Sequence, residues 1–194
     1  RPVERLTDFL DLCWYDDERP RALVVSENDF PTAAGLASSA SGFAALALAA
    51  TSAAELQLTE SELSVLARRG SGSAARSVVS GYAWMSRGQR EDGMDCHAYC
   101  IAGPDYWDLR CVIALTRVGP KEVSSTDGMN HTMNTSPYYS AWVDTVSGAM
   151  EAARDAITAR DFEKLADVAE ASCLQMHASA MAAEPGVLYW NGVT

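Results

Sequence analysis

The sequence predicts an α+β fold in two parts, and three observations carry that reading. Apolar residues recur at helical spacing near both ends of the chain, short β-branched runs lie between them, and Gly103–Pro104–Asp105 breaks the pattern near the middle. Mixed helices and strands of this kind imply an α+β architecture, with a change of domain around residues 101–108.

The elements follow in order. Val3, Leu6, Phe9, Leu10 and Cys13 share a helical face, so the chain opens on an amphipathic helix. Ala22 to Ser26 reads as a strand, and Glu27 to Gly35 as a polar loop containing Pro31. A helix is expected from about Ala37 to about Ala50. Thr59 with Glu62 three residues on forms a capping box, opening a helix that ends near Arg69–Gly70. A short helix should begin at Ser71 to Ser73. Strands are expected near Val78 to Met85, His97 to Ala102 and Arg110 to Thr116. Ser136 and Pro137 read as the N-cap and first residue of a long helix to about Ala159. Asp161 caps the last helix, which runs to about Ala182.

A chain of 194 residues can bury a real core in one large domain or two modest ones. Its net charge of −11, from 26 acids and 15 bases, repels a phosphate backbone and argues against nucleic acid as a partner. An anionic substrate would therefore need a local cluster of bases. No apolar run approaches the roughly 20 residues that span a bilayer, so no membrane partner is expected either. No signal peptide follows Arg1, although a chain opening without methionine suggests a lost beginning. Five cysteines, an odd number, suggest free thiols in a reducing, cytoplasmic setting. Cys96, His97 and Cys100 lack a second ligand pair at zinc spacing, so buried structural cysteines are the better reading.

The most informative segment is Pro31 to Gly42. Every side chain between Thr32 and Gly42 is small except Leu36, and a helix follows at once. Small side chains let backbone N–H groups approach a ligand, and a helix start presents unpaired donors with partial positive charge. Together they could cradle a phosphate, with serine hydroxyls as further donors or metal ligands. No Gly-Lys-Ser/Thr follows, so this is not a Walker A loop. Close packing of two helices would use the same small residues.

A basic island stands in this acidic chain. Arg68-Arg69-Gly70-Ser71-Gly72-Ser73-Ala74-Ala75-Arg76-Ser77 contains three arginines and no acid. Its glycines free the backbone to bend, and Ser73, Arg76 and Ser77 would share one helical face. The planar arginine fork suits a carboxylate or a phosphate. A capped helix with solvated arginines accounts for the same spacing.

Asn28-Asp29-Phe30-Pro31-Thr32-Ala33-Ala34-Gly35-Leu36-Ala37-Ser38-Ser39-Ala40 resembles the phosphate loop of the galactokinase, homoserine kinase, mevalonate kinase and phosphomevalonate kinase (GHMP) superfamily. It is closer still to the mevalonate diphosphate decarboxylase family. Arg68 to Ser77 is similar to that family's Arg-x-Gly-Ser-Gly-Ser-Ala-Cys-Arg-Ser, with Ala75 in place of cysteine. Asp92 to Cys96 and Lys121 to Met129 resemble its Asp-Gly-x-Asp-Ser and Lys-x-Val-Ser-Ser-Thr-x-Gly-Met, and Cys96 replaces a serine. Ser172 to Ala178 resembles a further helical stretch, with Cys173 for asparagine. His177 is left out of the catalytic set, and His97 and His131 earn no assignment.

The resemblance implies a domain like the second part of ribosomal protein S5 over residues 1–107, followed by a ferredoxin-like plait over 108–194, both incomplete. It implies ATP and Mg²⁺ as cofactors and mevalonate 5-diphosphate as substrate, with a homodimer as a possible assembly. Ala33, Gly35, Leu36, Ala37, Ser38 and Ser39 would bind ATP, Ser39 also meeting the metal. Ser71, Gly72, Ser73, Ala74, Ala75, Arg76 and Thr126 would bind substrate, with Ser71 and Ser73 on its diphosphate and Arg76 on its carboxylate. Ser125 and Arg76 would be catalytic, Ser125 by the reacting hydroxyl. A lysine-bearing segment for the diphosphate would precede Arg1, and an aspartate proposed as base would follow Thr194. Rival readings are a small-molecule kinase of the same superfamily and a non-catalytic nucleotide- or diphosphate-binding fragment. Without the resemblance, Ser124 to Thr126 could equally be a turn feeding a helix.

Overall fold

The computed structural model describes residues 2–14, 19–32, 35–116 and 123–194. They fall into two compact units, Arg1–Arg110 and Cys111–Thr194.

In the first unit, α1 (Pro2–Asp11), α2 (Ser38–Ala53), α3 (Glu60–Gly70) and the single turn α4 (Ala74–Ser77) precede an antiparallel pair, β1 (Tyr82–Met85) and β2 (Ala98–Ala102). Phe9, Leu10 and Cys13 of the opening segment close onto Ala44, Ala47 and Ala50 of α2, Leu66 and Ala67 of α3, and Ala74 of α4. Methyl-sized side chains let these helices approach closely, which is where the alanine richness is used. Phe9 meets Phe43 edge to face at 5.3 Å. The Thr59–Glu62 capping box is present in full at the start of α3.

Two expected strands are not formed. Residues 22–26 and 110–116 have no pairing partner among the described residues, and the sheet there contains only β1 and β2. Leu23 and Val25 are 90% and 83% exposed, and Val112 is 96% exposed. Their β-branched composition favours a pleated surface, but a strand exists only once a neighbour takes up its N–H and C=O groups. The expected burial of the cysteines holds for Cys13 alone. Cys96 is half-buried, and Cys100, Cys111 and Cys173 are exposed free thiols.

The second unit consists of α5 (Ser125–Thr135), α6 (Tyr139–Ala159) and α7 (Phe162–Met181). Helix α5 was not foreseen. Ser124 accepts from Asp127 N–H at 3.1 Å and starts this helix, while the long helix expected from Ser136 begins three residues on, at Tyr139. Ser136 is the C-cap of α5, and its hydroxyl accepts from Tyr138 N–H ahead of α6. Asp161 caps α7 through Lys164 N–H at 3.0 Å, as its sequence position predicts. No helix of the described residues is long and apolar enough to cross a membrane.

Candidate functional site

The start of α2 is built from backbone geometry. Gly35 has φ +86°, which glycine adopts freely, and Ala37 has φ 52° and ψ 40°. The left-handed region costs an alanine roughly 1–2 kcal/mol, so strain is held at the helix entrance. No side chain caps α2. Ser41 Oγ turns back to donate to Ser38 O at 3.1 Å, Ser38 is half-buried and Ser39 is exposed. An uncapped helix start beside two serines suits the oxygens of an anion such as a phosphate. Leu36 is half-buried and Gly35 and Ala37 are exposed beside them, while Ala33 lies outside the described residues. Ser39 also lines a groove of about 390 Å³ with Leu6, Val24, Phe43 and Leu46. That lining is mostly apolar, so the anion-directed surface is the helix start and not the groove.

The basic island packs against this helix through the shared alanine core, and Gly70 meets it at Phe43. A methyl group built on Gly70 would overlap the ring of Phe43, one turn beyond Ser39 on α2. Gly70 is therefore a packing glycine at the end of α3, a different use from the expected free bend. Arg5 lies over the ring of Phe43, 4.7 Å from the centroid, and its guanidinium donates to Gly70 O. Ser71 Oγ and Ser73 Oγ are 3.5 Å apart. Gly72 is exposed, and so is Arg76, whose Nη1 reaches Met85 Sδ at 3.6 Å. Arg76 has no ion pair among the described residues, which leaves its charge for a ligand. Ala74 and Ala75 are fully buried, so their methyls belong to the core and only their backbone could face a substrate. Since α4 is one turn, its helix dipole adds little, and donors must come from side chains.

Two arginines of the island have separate uses. Arg68 Nη2 donates to Gly93 O at 2.9 Å, and a Cβ on Gly93, at φ +67°, would lie 2.6 Å from that nitrogen. Arg68 thus supports the loop of residues 86–96. Within that loop Asp95 accepts from Gln89 N–H at 2.7 Å, and Asp92 accepts from Arg90 Nε at 3.0 Å and Met94 N–H at 3.0 Å. Arg90 beside Asp92, and the Gln89 amide on Asp95, hold both carboxyls below the usual range. These acids are engaged in shaping the loop.

Sequence reasoning missed Ser64. It is fully buried, its hydroxyl donates to Ala75 O at 2.9 Å and accepts from Ala98 N–H at 2.8 Å. One side chain therefore ties α3, α4 and β2 together, directly before Arg76. Its signal was a serine on the apolar stripe of α3, three residues ahead of Ala67. Ser64→Ala should leave two buried backbone groups unpaired and cost about 2–4 kcal/mol, seen as a lower urea midpoint at unchanged slope. Unaltered stability would show that water replaces the hydroxyl.

In the second unit Ser125 and Thr126 are the first two residues of α5, both exposed, and Ser124 also donates to Asp127 Oδ2 at 2.6 Å. The described residues predicted in the first unit lie at the start of α2 and around α4, which pack against each other, and those predicted in the second lie at one helix start. Lys121 lies outside the described residues. His177 packs between aromatic rings, with Trp190 at 4.5 Å and Tyr189 at 6.0 Å, and burial holds its pKa below the ordinary value. No group of three His, Cys, Asp or Glu among the described residues could hold a metal.

Comparison with known proteins follows the same division. Residues 2–98 match the diphosphomevalonate decarboxylase-like N-terminal domain, and residues 111–194 match the mevalonate 5-diphosphate decarboxylase C-terminal domain. The diphosphomevalonate decarboxylase of Gibberella zeae is 42% identical over 173 residues, covering 88% of this chain and 45% of its own length. Among solved structures, the mevalonate diphosphate decarboxylase of Enterococcus faecalis, described for its mevalonate diphosphate mediated ATP binding mechanism, has a TM-score of 0.81 at 36% identity. It covers 98% of this chain and 57% of its own. MDDEF in complex with MVAPP, AMPPCP and magnesium has a TM-score of 0.84 at 38% identity, covering 98% of this chain and 58% of its own. The chain spans about half the length of the curated relatives it matches.

Proposed function

Since the chain belongs to the mevalonate diphosphate decarboxylase family, with the fold of the GHMP kinase superfamily, we propose that it takes part in ATP-dependent decarboxylation of mevalonate 5-diphosphate. The products would be isopentenyl diphosphate, ADP, phosphate and carbon dioxide. The observation that carries this reading is the junction, through Phe43 and Gly70, of two anion-directed segments of different chemistry. One is an uncapped helix start with serines, and the other joins paired serines to an arginine without an ion-pair partner among the described residues. A phosphate donor beside a substrate bearing both diphosphate and carboxylate needs both.

In this reading Ser38, Ser39 and the first amides of α2 hold the phosphates of ATP. Mg²⁺, met by Ser39, would neutralise charge on those phosphates. Ser71 and Ser73 donate to the substrate diphosphate, and Arg76 holds its carboxylate. Ser125 and Thr126 stand by the tertiary hydroxyl, which takes the phosphoryl group. Loss of that phosphate and of carbon dioxide then leaves the alkene, with catalysis resting on positioning and electrostatics. The domain assignment 1–107 and 108–194 and a cytoplasmic location are part of this proposal.

The test is made in an intact polypeptide carrying this chain, assayed for both ADP and carbon dioxide. Ser39→Ala should remove one charge-assisted contact, about 1.5–3 kcal/mol, and lower turnover about tenfold or more at subsaturating ATP. Unchanged kinetics would remove Ser39 from the site. ADP release without carbon dioxide in the unaltered protein would favour a kinase instead.

A further inference from the structure

The segment that follows α7 runs along one face of α5. Glu184 N–H donates to Thr135 Oγ1 at 3.1 Å, and His131 Nε2–H donates to Pro185 O at 2.8 Å. Further along, Tyr189 stands against Gly128. Residues 128, 131 and 135 are three and seven positions apart, so they form a single stripe of the helix. The segment is fastened on its other side as well. Val187 N–H donates to Ala180 O at 2.9 Å, and the rings of Tyr189 and Trp190 both pack on His177 of α7. The ring of Tyr189 is therefore held between His177 of α7 and Gly128 of α5.

Gly128 is buried inside α5, where glycine is a poor helix former and alanine a good one. The space explains the choice. A methyl group built on Gly128 would overlap the Tyr189 hydroxyl oxygen, lying 3.1 Å from Cζ of the ring and 3.2 Å from Cγ1 of Val123. The missing side chain is the notch that the phenol fills. That hydroxyl is buried and has no hydrogen-bond partner among the described residues. Phenylalanine would fill most of the same space without burying an unpaired hydroxyl, so the oxygen calls for a role of its own.

We infer that Tyr189 is a positioning residue, whose hydroxyl, seated in the notch at Gly128, sets the first turn of α5 and with it Ser125 and Thr126. The inference rests on the proposed function for what those two residues do, and on the contacts above for how they are held. The segment 184–190 acts as a strap. Its bonds at Thr135 and His131 fix the far half of α5, and the phenol fixes the half that carries the proposed chemistry.

The test is a double-mutant cycle in the intact polypeptide, with Gly128→Ala, Tyr189→Phe and the pair. Gly128→Ala should displace the first turn and lower kcat about 30- to 100-fold, with the KM for Mg-ATP changed less than about threefold. Amides 125–128 should exchange faster with solvent. Adding Tyr189→Phe makes room for the methyl, so the pair should recover kcat at least about fivefold over Gly128→Ala and slow the exchange again. A pair no better than Gly128→Ala, or a Gly128→Ala protein within about twofold of the unaltered kcat, overturns the inference. If Gly128→Ala alone does not fold, the pair decides. Cooperative unfolding of the pair supports the inference, and an insoluble pair overturns it. Ser125→Ala separates the two claims. If it leaves turnover intact, the functional reading of α5 fails, while the exchange data still decide the coupling of Tyr189 to Gly128.

Discussion

Arg76→Lys is expected to lower kcat/KM for mevalonate 5-diphosphate about 100-fold while leaving the fold unaltered. The residue is exposed, has no ion pair among the described residues, and reaches the Met85 sulfur through Nη1. Losing it therefore removes no structural bond of consequence, and circular dichroism and the urea midpoint should not move. Lysine keeps the charge but replaces a planar fork of donors with a single ammonium point. If the proposed carboxylate is held by two parallel bonds, one is lost and the other lengthens. Arg76→Ala should cost at least as much again. The readout is steady-state release of carbon dioxide with Mg-ATP saturating, alongside ADP release. A lysine variant with unaltered kinetics would return Arg76 to a solvated helix charge, and would take the carboxylate from the proposed substrate list with it.

The 194-residue chain expressed alone is expected to give no measurable turnover, a larger effect than any single substitution. Two β-branched segments, 22–26 and 110–116, form no strand pairing among the described residues, and Leu23, Val25 and Val112 are each more than four-fifths exposed. Such edges invite pairing with other chains, so the isolated polypeptide should bind a hydrophobic dye and self-associate. In-line attack by a tertiary alcohol on ATP also demands a substrate held rigidly and a base near its hydroxyl. The acids of the Asp92 to Cys96 motif, Asp92 and Asp95, are occupied in their own loop. The assay adds Mg-ATP and mevalonate 5-diphosphate and follows both ADP and carbon dioxide. Weak nucleotide binding without products is the expected result. Stoichiometric products at a rate near that of a full-length relative would show that the essential groups all lie within these residues.

Much of the architecture was legible because local chemistry sets it. Thr59 with Glu62 and Asp161 ahead of Lys164 mark helix starts through bonds spanning three residues, and both caps form. The apolar stripe of α1 needs nothing beyond its own periodicity. The α5 start was equally local, yet its Ser124–Asp127 cap was passed over because the sequence after it is polar and lacks an apolar stripe. The two unformed strands failed for the opposite reason, since their composition was right and their partners are not among the described residues.

By itself the sequence determined the family, the small-residue loop from Gly35 to Ser39 and the basic island from Arg68 to Ser77, because small residues, glycines and clustered bases are contiguous. Tertiary structure alone decided the roles of residues distant in sequence. It turned Gly70 into a seat for Phe43, engaged Arg68 with Gly93, buried Ser64 between Ala75 and Ala98, and set Tyr189 in the notch at Gly128. Each of those depends on atoms 11 to 61 positions apart meeting within a few ångströms, and no window along the chain contains both partners' positions in space. Capping and periodicity are properties of a segment, whereas a packing notch exists only when two segments meet.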